Sequence, residues 1–264
     1  MLSRIILPLR MLRSDMAIYW RRKNYTPLLP LSEKQKKCLD ILRRDGICTV
    51  ENYWTAERCT EFRELLEKEV QEQKDRNYDN GAYIRFNRGK NPKDQGVVRI
   101  YHAEKFLPPL GDFRNDPFIL GIASAYFGIP MFSGFVAFQH NLPSVSDTRE
   151  YHVDWWEKEF KAFIYLGDVD LTNGPFAYIP GSHRAYFSRY RKVFLSGKGL
   201  ADTSFFARDL GGWMDREKIM TGKAGTLLLA DVTGFHRGLP QTGRTRSLLY
   251  NNIYPKKEDI FPDR

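Results

Sequence analysis

Five short runs after Pro130 constrain the fold more than any other feature: FSGFVAFQH, KAFIYLGDV, GPFAYIPG, AGTLLLADV and RSLLYNNIY. They are rich in aromatic and aliphatic residues, and glycine, proline, asparagine and aspartate punctuate them. Several short strands in series predict a sandwich or jelly-roll barrel. The expected fold class is therefore mainly β with flanking α-helices.

The helices are expected upstream. Ser32 opens SEKQKKCLDILRRDG, where Ser32 with Gln35 reads as a capping box and Gly46 as the stop. Cys38, Leu39, Ile41 and Leu42 form its apolar stripe. A short strand, ICTV, follows. Thr55 caps a second helix with Phe62, Leu65, Leu66 and Val70 on one face, and a third is expected over residues 116–128. Residues from about 75 to 97 read as a polar loop carrying Arg85 and Asn87, by default a solvated loop, with cover for a site as the alternative.

Charge is unevenly spread. The chain of 264 residues carries +9. Residues 1–25 hold six basic residues and one acidic, a net +5 that leaves +4 for the rest. The same segment is rich in Leu, Ile and Met, with Pro8 interrupting it. Three readings stay open: a basic amphipathic patch on an anionic membrane surface, a mitochondrial presequence, or an arm packed on the domain. The location expected is cytoplasmic, with or without membrane association. No apolar run reaches the roughly 18 residues of a membrane span. With no zinc finger, RNP motif or long lysine run, no nucleic-acid partner is expected. Cys38, Cys48 and Cys59 follow no ligand or disulfide spacing, which suits a reducing compartment.

The chemistry starts at YHVDWW. His152 and Asp154 are two residues apart, so on a strand both face one spot. Two ligands hold a divalent metal poorly. His236, in TGFHRG, is the best candidate for a third. Two histidines and a carboxylate on one face form the arrangement of non-haem Fe(II) oxygenases, with open positions for a cosubstrate and O₂. Ten residues on, Arg246 opens the last run, where a guanidinium can grip a carboxylate such as the distal one of 2-oxoglutarate. Arg244 is the alternative anchor, nearer the turn. If Arg246 faces inward, so do Leu248, Tyr250 and Asn252. His183 reads as part of a structural turn, with a substrate contact as the alternative, and His102 and His140 read as ordinary surface or core histidines. Of Trp155 and Trp156, one is a candidate for a wall of the substrate pocket, with packing of both in the barrel as the alternative.

The segments RRDGICTV, YWTAERCTEF, YHVDWW, LTNGPFAYIPGSHR, AGTLLLADVTGFHRGLPQTG and RTRSLLYNNIY together resemble the phytanoyl-CoA dioxygenase family of Fe(II)/2-oxoglutarate-dependent oxygenases. The resemblance runs from about residue 35 to the end. It implies a double-stranded β-helix (jelly-roll, cupin-like) barrel. The implied domains are 31–264 for the dioxygenase, with helices to about 128 and the barrel from about 130, and 1–30 for a basic apolar arm. Matched to the family motif, His152, Asp154 and His236 take the iron positions and Arg246 the 2-oxoglutarate position. Gln139 takes a second cosubstrate contact. The implied cofactors are Fe(II), 2-oxoglutarate and O₂, with ascorbate as a reductant. Halogenases of the family replace the carboxylate ligand by alanine or glycine. Asp154 is present, so the implied reaction is hydroxylation of an aliphatic C–H or a related oxidation, with succinate and CO₂ as coproducts. The substrate expected is small or lipid-linked, for instance a glycolipid. A zinc-type hydrolase on the same ligands and a catalytically silent metal-binding module are the alternatives.

Overall fold

The computed structural model describes residues 12–13, 16–27, 30–87, 96–143, 150–155, 159–185 and 203–255. Trp156 lies outside them.

Capping chemistry sets the helices. Helix α1 (Glu33–Asp45) starts at Ser32, whose side chain accepts from the Gln35 amide while the Gln35 side chain returns to the Ser32 amide. It stops at Gly46, which takes φ 82°. A side chain there would also strike His183 and Tyr178, so both conformation and space require glycine. Thr55 caps α2 (Ala56–Glu69), and Asp116 caps α3 (Pro117–Phe127) by accepting from Phe118 and Ile119. In α2 the expected stripe is narrower than its spacing suggests. Phe62 and Leu66 are buried, whereas Leu65 is 47% exposed.

Thirteen strands are described: β1 (Ile47–Val50), β2 (Arg76–Asn77), β3 (Tyr83–Asn87), β4 (Val97–Tyr101), β5 (Phe132–Asn141), β6 (Tyr151–His152), β7 (Phe160–Tyr165), β8 (Phe176–Tyr178), β9 (Ser204–Phe205), β10 (Lys218–Met220), β11 (Leu227–Asp231), β12 (His236–Gly238) and β13 (Arg246–Tyr254). They form a larger sheet, β1-β11-β7-β13-β5-β4-β3-β2, and a smaller one, β10-β8-β12-β6-β9. Every named pair is antiparallel. The segment read as a polar loop instead supplies β2, β3 and the start of β4. Its alternation was masked by charge, because YIRFN buries Ile84 and exposes Arg85 and Asn87.

Three layers result. The helices cover the outer face of the larger sheet, where Leu42, Phe62, Leu66 and Ile122 join Phe138, Ile164, Leu229 and Leu249 in the main core. On the inner face Leu228, Tyr165, Leu248 and Tyr250 meet Phe176 and Tyr178 of the smaller sheet. Strands buried on both faces explain why LLLAD and RSLLYNNIY read as continuous rather than alternating runs. Asn251 is tolerated in that core because its side-chain amide donates to Arg114 O at 3.1 Å and Ser133 Oγ at 2.9 Å. No helix among the described residues is long and apolar enough to cross a membrane.

Candidate metal and cosubstrate site

The inner faces of the two sheets enclose a cavity of about 760 Å³. Its metal-binding corner is built by the shortest strands. His236 on β12 pairs directly with His152 on β6, and His152 also pairs with Ser204 on β9. The two imidazole centroids lie 4.4 Å apart. Strand β6 ends at His152, so pleating alone does not aim Asp154. Its amide donates to Val232 O at 3.1 Å, which turns the carboxylate back toward the histidines.

The donor atoms converge. His152 Nε2 is 3.7 Å and His236 Nε2 3.6 Å from Asp154 Oδ1. One ligand atom from each residue lies within 4.8 Å of the others. Each ring turns its Nδ1 to a backbone carbonyl, His152 to Glu150 O at 3.1 Å and His236 to Gly234 O at 2.9 Å. A carbonyl oxygen only accepts, so Nδ1 carries the proton and Nε2 keeps its lone pair for a cation. Two neutral imidazoles and a carboxylate fit a divalent transition metal.

A residue the sequence reading missed completes this corner. Lys161, on β7, donates from Nζ to Asp154 Oδ2 at 2.6 Å and lies 3.8 Å from Glu159. The two oxygens of Asp154 thus have different partners, and only Oδ1 turns to the histidines. Burial pushes the Asp154 carboxyl up, but Lys161, then His236 and His152, hold it well below the usual range. Burial disfavours the Lys161 ammonium, yet Asp154 and Glu159 leave it above its ordinary value. Glu159 is pushed up to about 6, chiefly by burial. Burial, then His236, lowers His152 to about 4. A lysine inside the otherwise apolar KAFIY was the available signal.

The opposite wall belongs to the larger sheet. Arg246 is 4% exposed, lines the cavity, and donates from Nη1 to Gly174 O. Leu248 and Tyr250 line it too, as alternation from Arg246 requires. Asn252 keeps the same side, paired with Lys161 of β7, but is not among the residues that line the cavity. Arg244 points away, its Nη1 lying 3.3 Å from the exposed Asp170. Gln139 lines the cavity on β5, accepting from Arg99 Nε at 2.8 Å and donating to Asn141 Oδ1 at 2.7 Å. Arg99 is a second cavity cation not singled out from the sequence. Asn87 also lines the cavity, on a strand rather than a loop, and Arg85 is exposed.

The remaining histidines sit elsewhere. His183 is buried beneath Gly46. His140 meets Ser247 Oγ at 2.7 Å, and His102 lies 3.6 Å from Glu104. Trp155 is half-buried.

A jelly-roll with two histidines and a carboxylate facing its cavity defines the class of non-haem metal oxygenase folds. The profile of the phytanoyl-CoA dioxygenase (PhyH) family matches residues 42–247, and the chain belongs to that family. Among solved structures it is similar to EctD from S. alaskensis, crystallised with 2-oxoglutarate and 5-hydroxyectoine: 17% identity, TM-score 0.63, 87% of this chain and 78% of that one. It is also similar to SnoN, a non-haem α-ketoglutarate-dependent epimerase of nogalamycin biosynthesis, at 16% identity, TM-score 0.62 and 83% and 82% coverage. HygX from Streptomyces hygroscopicus, with nickel and 2-oxoglutarate bound, gives 18% identity, TM-score 0.57 and 86% and 89% coverage. At these identities the likeness is one of fold. Comparison with curated proteins gives no match.

Proposed function

We propose that the chain is an Fe(II)/2-oxoglutarate-dependent oxygenase that hydroxylates an aliphatic C–H of a small or lipid-linked substrate. One observation carries the reading: two imidazole Nε2 atoms converge on Asp154 Oδ1 inside the cavity that also holds the buried Arg246. His152, Asp154 and His236 hold the metal. Arg246 grips the distal carboxylate of 2-oxoglutarate, and Gln139 is a second polar contact near it. When bound, Fe(II) with 2-oxoglutarate supplies O₂ activation and C–H oxidation, releasing succinate and CO₂. The protein's own part is placement. The Glu150 and Gly234 carbonyls fix the imidazole tautomers, Lys161 confines Asp154 to one inward oxygen, and Phe163, Phe176 and Tyr250 wall the cavity against water.

The similar structures include an α-ketoglutarate-dependent epimerase and a carbocyclase, so the fold also serves outcomes other than hydroxylation. The deciding experiment is O₂-dependent succinate release from 2-oxoglutarate over a metabolite and lipid-extract panel, with products weighed by mass spectrometry. A gain of one oxygen is expected. Turnover of a substrate without consumption of 2-oxoglutarate points to hydrolysis on the same ligands and overturns the reading.

A further inference from the structure

Residues 16–24 form a helix whose two long faces have opposite surroundings. On one face Ile18, 7% exposed, joins the main core. One turn on, Arg22 Nε donates to Tyr126 O, and its guanidinium lies 4.2 Å over the Tyr126 ring. At Gly128, just past α3, a Cβ would lie 2.6 Å from the backbone of Arg21 and Arg22. The helix is therefore already seated on the fold.

The other face carries Met16, Tyr19, Trp20 and Lys23, the i, i+3, i+4, i+7 spacing of one helix side. Met16 is 55%, Tyr19 57% and Trp20 60% exposed, and Leu12, just before, is 44%. Four of the nine exposed large hydrophobics among the described residues thus fall within residues 12–20, which makes them a patch rather than scattered side chains. Lys23 Nζ lies 5.0 Å from the Tyr19 ring and 5.7 Å from the Trp20 ring. Arg13 and Arg21 are exposed beside them, and residues 12–30 hold four basic residues against the single acid Asp15.

We propose that this face docks on an anionic phospholipid surface. It is a single helix side that pairs exposed aromatic rings with basic residues, a combination that suits a bilayer boundary. Trp and Tyr rings beside a lysine match the headgroup zone, and a net basic stretch complements anionic lipid. The membrane and packing readings of the N-terminal segment are then two faces of one helix. The proposal does not depend on the metal chemistry.

The test is cosedimentation of the full chain with phosphatidylcholine vesicles holding about a quarter phosphatidylserine. Neither metal nor 2-oxoglutarate is added, so its outcome is separate from that of the oxygenase reading. Binding is expected at low salt, with release at high salt and none on pure phosphatidylcholine. Met16→Glu with Trp20→Glu should weaken binding by about tenfold or more at an unchanged melting temperature. Three results overturn the proposal: an intact chain that ignores anionic vesicles at low salt, a double variant that binds as well as the parent, or a double variant with a clearly lowered melting temperature. The last would show the face covered by another part of the chain or a second copy.

Discussion

The two sheets divide their work. The larger one is held by long strands buried on both faces, with β13 paired along nearly its whole length to β5 and β7. In the smaller one, β6 and β12 meet at a single residue pair, His152 with His236. The better-anchored sheet carries the cations of the cavity, Arg99, Lys161 and Arg246, and the shorter strands carry two of the three candidate metal ligands. Where strand pairing is this sparse, aim must come from individual hydrogen bonds. The Glu150, Gly234 and Val232 carbonyls supply them. Stability and chemistry are therefore separable to a large degree.

Substitution on each sheet is the strongest way to break that division. His236→Ala should abolish turnover and leave the melting temperature of the metal-free protein within a few degrees. Leu249→Ala, at a fully buried core position, should cost about 2–5 kcal/mol in urea denaturation. If His236→Ala unfolds as readily as Leu249→Ala, the smaller sheet is load-sharing and the comparison fails. Arg246→Ala tests the cation wall. Losing a buried charge-assisted contact is worth about 2–5 kcal/mol, read as a steep rise in the 2-oxoglutarate requirement. Arg244→Ala, at a surface pair, should change it little, and the opposite ranking would mean the wrong arginine has been assigned.

Lys161→Met probes the seam between the sheets. Without the ammonium, the Asp154 and Glu159 carboxylates lose a partner at 2.6 and 3.8 Å. The metal-free variant should lose about 1–3 kcal/mol, and Mn(II) should restore more stability to it than to the parent, because the cation replaces the missing charge. Equal metal-induced shifts in melting temperature would remove Lys161 from the site.

The smallest effect is on pH dependence. His152 is held down to about 4, first by burial and then by His236. A histidine whose folded value lies below its unfolded one, about 6.5, contributes stability that is full above 6.5. That stability is lost as pH falls from there toward 4. Metal-free protein should lose melting temperature across this window, by the equivalent of about 1 kcal/mol after allowing for the solvent-exposed part of the ring. His152→Gln should flatten the slope, and a slope that survives the substitution belongs to another group.

Much of this was legible in the sequence, for identifiable reasons. The capping box at Ser32 and the stop at Gly46 are local chemistry, written within a few residues, and both formed. The five β-rich runs each yielded a strand because apolar content marks strands buried on two faces. The strands β2 to β4 were not legible, since exposed edge strands carry charge and look like loops. His152, Asp154 and His236 stood out as residue types with little other reason to recur in that order. Lys161 did not, because its meaning depends on β7 lying beside Asp154, a tertiary fact. Neither did Arg99, whose inward direction is fixed only by pairing with Gln139 across β4 and β5.

The placement of β13 has a consequence for how the chain acquires this shape. The last strand described lies in the middle of the larger sheet, where Arg246 pairs with Asn141, and the first strand closes that sheet's edge by pairing Ile47 with Ala230. Neither half of the chain can assemble the sheet alone. Most of the entropy of loop closure must be spent before these contacts repay it, which places the protein among slow, nonlocal folders. While the chain is still being synthesised, His152 and Asp154 emerge well before the strand that brings Arg246. A nascent chain thus carries His152 and Asp154 before it has the buried guanidinium on the facing wall, and the cavity is complete only when β13 inserts between β5 and β7.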